Sequence, residues 1–259
     1  MESLSAAAYA PPPENAMAGV PAHIVDLLDQ LHAESWDQES KITRDDFKDR
    51  TLHEVMRDKF IALDQDKAQY VYALCRATGA RTIVEAGTSF GVSTIYLALA
   101  AAANVSGGGK PARVIATEHE PTKAARAREI WDKCGKQVVD VIDLREGDLR
   151  ETLKEDLEDV DLLLLDSEFF FSQVLIMERC PGARLIVATV WTPMVLPTLQ
   201  VVLPKMRPGA VVISDNTISS AEGYKDFLEY MRGPQSPFIN LTLPYKNGLE
   251  MSIYVPKQS

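Results

Sequence analysis

The most constraining feature of the chain is a change of period within one short stretch. Residues 81–103 read RTIVEAGTSFGVSTIYLALAAAA. Arg81–Ala86 is a short β-rich run, and Ser93–Ala103 continues in an Ala- and Leu-rich helical pattern. Between them GTSFG supplies two glycines, which permit a tight strand-to-helix turn. The rest of the chain repeats the alternation. Arg113–Thr117 reads as a second strand and Pro121–Cys134 as a helix with proline at a favoured first position. Val141–Leu144, Val160–Leu165 and Ala210–Ser214 read as strands three, four and five. The VDLLLL run of strand four is apolar throughout, as suits a strand covered on both faces. A helix over Ser219–Met231 follows, then two strand-like runs, Phe238–Leu243 and Leu249–Val255. No helix separates those last two, so they are expected to pair antiparallel. The pattern predicts an α/β fold, with a mostly parallel seven-stranded sheet whose last strand is antiparallel.

Upstream of the sheet the pattern is helical. Ile24, Leu27, Leu28 and Leu31 fall on one face, a polar stretch covers Glu39–Asp49, and a second helix is expected near Leu52–Leu63. A third, from about Asp64 to Thr78, carries Ala68, Val71, Tyr72 and Cys75 at helical spacing and stops at Gly79. The expected organisation is a disordered Ala- and Pro-rich leader over residues 1–20, an N-terminal helical cap over 21–63, and one α/β domain over 64–259. The leader lacks a basic stretch before an apolar one and does not read as a secretory signal. The cap is open to two uses, a cover over the site or a homodimer contact.

Charge and cysteine usage narrow the function classes. The net charge is −10, from 27 basic against 37 acidic residues, which argues against a nucleic-acid partner and against an anionic membrane surface. No apolar run is long enough to span a bilayer. Cys75, Cys134 and Cys180 form no CxxC pair, and the four histidines lack metal-ligand spacing. The cysteines read as free thiols of a reducing, cytoplasmic setting, and a zinc site is not expected.

The residues that can carry chemistry sit where strands end. In VEAGTSFGVST the glycines are four apart, whereas a dinucleotide fingerprint would place a second glycine at Ser89. N–H groups at such a helix start can bind a carboxylate or phosphate. Glu118 ends strand two, at a distance from Gly87 that suits an acid accepting hydrogen bonds from both ribose hydroxyls of a nucleoside; the plain alternative is an exposed loop acid. Asp148, after strand three, can accept from an adenine amino group or cap a helix. Asp166 ends strand four, and Asp215-Asn216 ends strand five. Two carboxylates and an amide oxygen make a hard-oxygen set suited to Mg²⁺ or another divalent cation; the alternative is capping and turn formation.

Taken together, VEAGTSFGVSTIYLA, VIATEHEP, EGDL, DLLLLD, LPKMRPGAVVISDN and GLEMSIYV resemble the class I O-methyltransferases of the catechol and caffeoyl-CoA type. The resemblance covers roughly Asp64–Val255. It implies a Rossmann-like methyltransferase fold, S-adenosylmethionine as cofactor and O-methylation of a small hydroxylated aromatic or secondary-metabolite substrate. It places Glu85, Gly87, Ser89, Gly91, Ser93, Glu118 and Asp148 at the cofactor, and Asp166, Asp215 and Asn216 at a metal ion, with Asp166 also catalytic. Two alternatives stay open: metal-independent transfer to nitrogen or another acceptor, and a protein that binds S-adenosylmethionine without turning it over.

The chain departs from that family pattern twice. Catechol-type enzymes carry a lysine base shortly after the strand-four aspartate, but here no lysine follows Asp166 until Lys205. In addition, the segment that would follow Asp166 directly begins at Trp191, after 24 intervening residues, Ser167–Val190. That insert is either a hairpin or lid over the site, or translated intron. The code permits Asp-Ser-Glu as GAC-AGT-GAG, holding a GTGAG splice donor, and Thr189-Val190 as ACA-GTA, holding a CAG acceptor. Excision would leave Asp-Ile-Trp in frame and restore LLLLDIWTPMVLPTLQ. The retained-intron reading is preferred, because it removes the gap in one step.

Overall fold

The computed structural model describes residues 16–50, 54–55, 59–105, 110–166 and 192–256. The insert Ser167–Val190 and Trp191 lie outside them. The strands are β1 (Thr82–Ala86), β2 (Arg113–Glu118), β3 (Ile142–Glu146), β4 (Val160–Leu165), β5 (Met206–Asp215), β6 (Phe238–Leu243) and β7 (Leu249–Tyr254). The helices are α1 (Ala22–Ser40), α2 (Gln65–Thr78), α3 (Val92–Ala103), α4 (Pro121–Cys134), α5 (Lys136–Val139), α6 (Leu149–Thr152), α7 (Thr192–Val202) and α8 (Lys225–Arg232).

The seven strands form one sheet in the order β3-β2-β1-β4-β5-β7-β6. The pairs from β3 to β5 are parallel, and β7 runs antiparallel to both its neighbours. The expected fold class is therefore the observed one. Alternate residues feed two cores, as the two-residue period of a strand requires. Ile83, Val114, Leu162, Leu164 and Ile213 face a layer built from α1 to α4, where Ile24, Leu28, Val71, Ile95 and Ile130 are buried. Val84, Ile115, Leu163, Leu165 and Val212 face α6, α7 and α8, with Leu149, Leu199 and Phe227.

Three sequence expectations need correction. Residues 16–20 of the expected leader are described, and Met17 among them is buried against the core; residues 1–15 of that leader lie outside the described residues. Residues 59–63 of the expected Leu52–Leu63 helix are not helical. Their backbone donors go to α1 instead: the Phe60 N–H donates to Gln38 Oε1 (3.0 Å) and the Ala62 N–H to Ser35 Oγ (2.9 Å). Helix α8 starts at Lys225 rather than Ser219. The Ile218 and Ser219 N–H groups donate to the Asn247 carbonyl (2.9 and 3.2 Å), a tertiary contact that holds this stretch as a turn. Gly79 does end α2, in the left-handed conformation (φ 68°) open to glycine.

Candidate active site

Parallel strands of one register bring their carboxyl ends to one edge. Ala86 pairs with both Thr117 and Leu165, Glu118 with Glu146, and Leu165 with Ser214. The residues that follow, Gly87–Ser89, Gly147-Asp148, Asp166 and Asp215-Asn216, therefore leave the sheet side by side with Glu118. All the site residues expected from the sequence lie on this edge or in the turn rising from it, where open α/β sheets bind ligands.

The β1–α3 turn is built from beneath by Glu85. This side chain is fully buried and accepts from three hydroxyls: Ser93 Oγ (2.6 Å), Thr94 Oγ1 (2.5 Å) and Thr88 Oγ1 (2.8 Å). A buried carboxylate needs such partners, and these draw the turn and the first residues of α3 over the end of β1. Gly87 has φ 93°, and a Cβ there would lie 2.9 Å from the Asp166 backbone oxygen. Only glycine lets the turn pass so close to the end of β4. Ser89 adopts φ 50° and is nearly buried.

From the other side Glu118 clamps the same turn. Its Oε2 accepts the Ser89 N–H (2.7 Å), and its Oε1 accepts the N–H groups of His119 and Glu120 (both 2.7 Å). Asp148 caps α6 through the Arg150 N–H (2.9 Å) and grips the Arg150 guanidinium. Those bonds to Arg150 hold its carboxyl down at about 2, so it stays an acceptor across the ordinary pH range.

Two residues at this site have no precedent in the sequence reading. Trp131 of α4 donates its indole N–H to the Gly91 carbonyl (2.8 Å), and a Cβ at Gly91 would come within 2.4 Å of that indole nitrogen. Lys67 of α2 reaches the end of β5. Its Nζ lies 2.7 Å from Asp215 Oδ1 and 2.8 Å from Asp64 Oδ2, with the side chain 1% exposed. The contact with Asp215 is an ion pair. Burial opposes the Lys67 ammonium, but Asp215 and Asp64 outweigh it and raise its pKa. Burial raises the Asp215 carboxyl above its usual range, against the pull of Lys67. The available signal for Lys67 was a charged residue in line with the apolar stripe of Val71 and Cys75, four and eight positions on.

At the expected metal trio, Asp166, Asp215 and Asn216, both carboxylate oxygens of Asp215 already have protein partners. Asp215 Oδ1 faces the Lys67 ammonium, and Oδ2 accepts from Asn216 Nδ2 (3.0 Å). The Asn216 amide thus turns its nitrogen to Asp215. Among the described residues no group of three or more His, Cys, Asp or Glu is arranged to hold a metal. Asp166 donates its N–H to the Ala86 carbonyl (3.3 Å) and lines a small cleft with Leu149, Met194, Val195 and Thr198.

The model of a family described as a methyltransferase domain matches residues 84–217, which is more than half of the chain. The chain belongs to this methyltransferase family. The matched region runs from β1 through the glycine turn, Glu118, Asp148 and Asp166 to the end of β5. No curated protein sequence matches significantly. Solved structures of similar fold include the Streptomyces achromogenes O-methyltransferase TomG in complex with S-adenosylmethionine, 19% identical over 88% of this chain and 99% of that one (TM-score 0.59). The O-methyltransferase from Bacillus cereus with S-adenosylhomocysteine is 20% identical over 88% and 99% (TM-score 0.56). The Podospora anserina methyltransferase PaMTH1, also bound to S-adenosylhomocysteine, is 16% identical over 96% and 99% (TM-score 0.57). Among the described residues of this methyltransferase no helix is long and apolar enough to cross a membrane.

Proposed function

We propose that this methyltransferase is an S-adenosylmethionine-dependent O-methyltransferase acting on a small hydroxylated, aromatic or secondary-metabolite substrate. The observation that carries the reading is the β1–α3 turn, held between the buried Glu85 carboxylate and the Glu118 carboxylate at the carboxyl edge of the sheet. The cofactor fits there on two counts: a Cβ at Gly87 would fill the space against Asp166, and the Glu118 carboxylate stands at the same turn.

When bound, the cofactor supplies an electrophilic sulfonium methyl group. The chain's own residues position and exclude. Gly87, Ser89, Gly91 and Ser93 shape the turn that receives the amino-acid end. Glu85 holds that turn without needing to touch a ligand. Glu118 accepts from ribose hydroxyls, and Asp148 from the adenine amino group. Asp166, half-buried at the end of β4, faces the acceptor side, where a carboxylate can orient a hydroxyl and accept its proton.

Calorimetric titration of S-adenosylmethionine tests the reading. The wild-type chain is expected to bind, and Glu118→Ala to weaken binding by about tenfold or more, from the loss of a charged acceptor worth ~1.5–3 kcal/mol. A folded wild-type chain that binds none refutes it.

A further inference from the structure

The Lys67 ammonium is a cation held by two carboxylate oxygens, Asp64 Oδ2 and Asp215 Oδ1, at the end of β5. It arrives there from α2, outside the sheet, and its side chain is almost completely buried. A divalent ion at Asp215 would need the same oxygen and would meet a like charge beside it. The second oxygen, Oδ2, is already bonded to the Asn216 amide nitrogen. Register places Asp166 and Asp215 at neighbouring strand ends, so the ammonium sits on a carboxylate expected to hold a metal.

We infer that Lys67 is the resident cation of this site: a positioning residue whose ammonium neutralises Asp215, ties α2 to the end of β5 and takes the place of a divalent ion at Asp166, Asp215 and Asn216. The assignment uses the methyltransferase reading only to name this the acceptor side. The ammonium is buried and does not touch the substrate. It fixes Asp215 and the start of α2, and through them the wall on which an acceptor would rest.

The test is Mn²⁺ uptake by the full chain, followed by the spin-resonance signal of free Mn²⁺. The wild type is expected to take up none at millimolar Mn²⁺. Lys67→Met, which keeps the length of the stem and removes the charge, is expected to bind a single ion at least about tenfold more tightly. The double variant Lys67→Met with Asp215→Asn is expected to lose that ion again, and Lys67→Arg to exclude it as the wild type does. Should Lys67→Met fail to fold, Lys67→Gln takes its place. A merely structural lysine would not control Mn²⁺ uptake in this way. Wild-type binding that Asp215→Asn removes overturns the inference, as does a folded neutral variant that binds no better than wild type. S-adenosylmethionine titrated into the same samples separates the two readings. Wild type that excludes Mn²⁺ but binds no cofactor overturns the methyltransferase proposal and leaves the Lys67 assignment standing.

Discussion

Removing the Glu85 carboxylate should loosen the cofactor turn and the fold together, in a fixed order of severity. In Glu85→Ala the hydroxyls of Thr88, Ser93 and Thr94 lose the oxygens that now sit 2.8, 2.6 and 2.5 Å away. All three side chains are buried, so water cannot readily replace the acceptor. Hydrogen bonds to a charged group are worth ~1.5–3 kcal/mol each, but the variant also removes the cost of burying a carboxylate. The net loss is expected to be about 3–5 kcal/mol, the range for removing one partner of a buried charged network. Against a total of about 5–15 kcal/mol that is a large share. Glu85→Gln keeps one acceptor oxygen, and its amide can donate to hydroxyls that reverse their own direction, so about 1–2 kcal/mol is expected. Urea unfolding reads both as falls in midpoint at unchanged slope. Calorimetry should show weaker cofactor binding in the same order. A Glu85→Ala variant within about 1 kcal/mol of wild type, with intact cofactor affinity, would refute the assignment of this carboxylate as the clamp beneath the turn.

Gly91→Ala should cost about 2–4 kcal/mol, since it adds left-handed strain of ~1–2 kcal/mol and drives a methyl into the Trp131 indole; an unchanged melting temperature would count against the Trp131 clamp. His32 is buried against the Tyr96 hydroxyl (3.0 Å), and burial lowers its pKa from 6.5 to about 4. The folded chain resists a proton that the unfolded chain accepts, so stability is full above pH 6.5 and falls between pH 6.5 and about 4, by about 3 kcal/mol. His32→Gln should flatten that part of the profile, and identical acid profiles for the two proteins would contradict it. Replacing Ser167–Val190 by a single Ile should raise specific activity, because it restores the uninterrupted run after Asp166 that the family resemblance implies. Equal activity, or transcripts that almost all encode the insert, would remove the retained-intron reading.

The central strands were legible because they are buried on both faces. Runs such as VDLLLL and RVIAT need no partner to be recognised, and Pro121 and Gly79 mark helix ends by backbone conformation alone. What local pattern could not show were donors spent on distant partners. Residues 59–63 carry an apolar spacing compatible with a helix, yet Gln38 and Ser35 of α1 take the N–H groups that a helix would use. In the same way Asn247, from the β6–β7 connection, takes those of Ile218 and Ser219. Strand-end acids were legible as a set because a parallel sheet delivers them to one edge.

Lys67 shows where that logic stops. Asp215 is visible in the sequence as a strand-end acid, and its oxygen chemistry admits either a metal ion or an ammonium. Which of the two it meets depends on α2, whose contact with β5 lies across most of the chain from it. The choice has a chemical consequence. A divalent ion can bind two substrate oxygens and lower a hydroxyl pKa, whereas a buried ammonium already shared by two carboxylates offers no open coordination position. Deprotonation of the acceptor must then rest with a carboxylate such as Asp166 or with a substrate acidic enough to ionise by itself. The neutralised Asp215 therefore directs the search for a substrate toward acidic hydroxyls, phenols above alcohols. Methyl transfer to phenols of graded acidity, without added metal, would show a rate that rises with acidity if this holds and one indifferent to it if it does not.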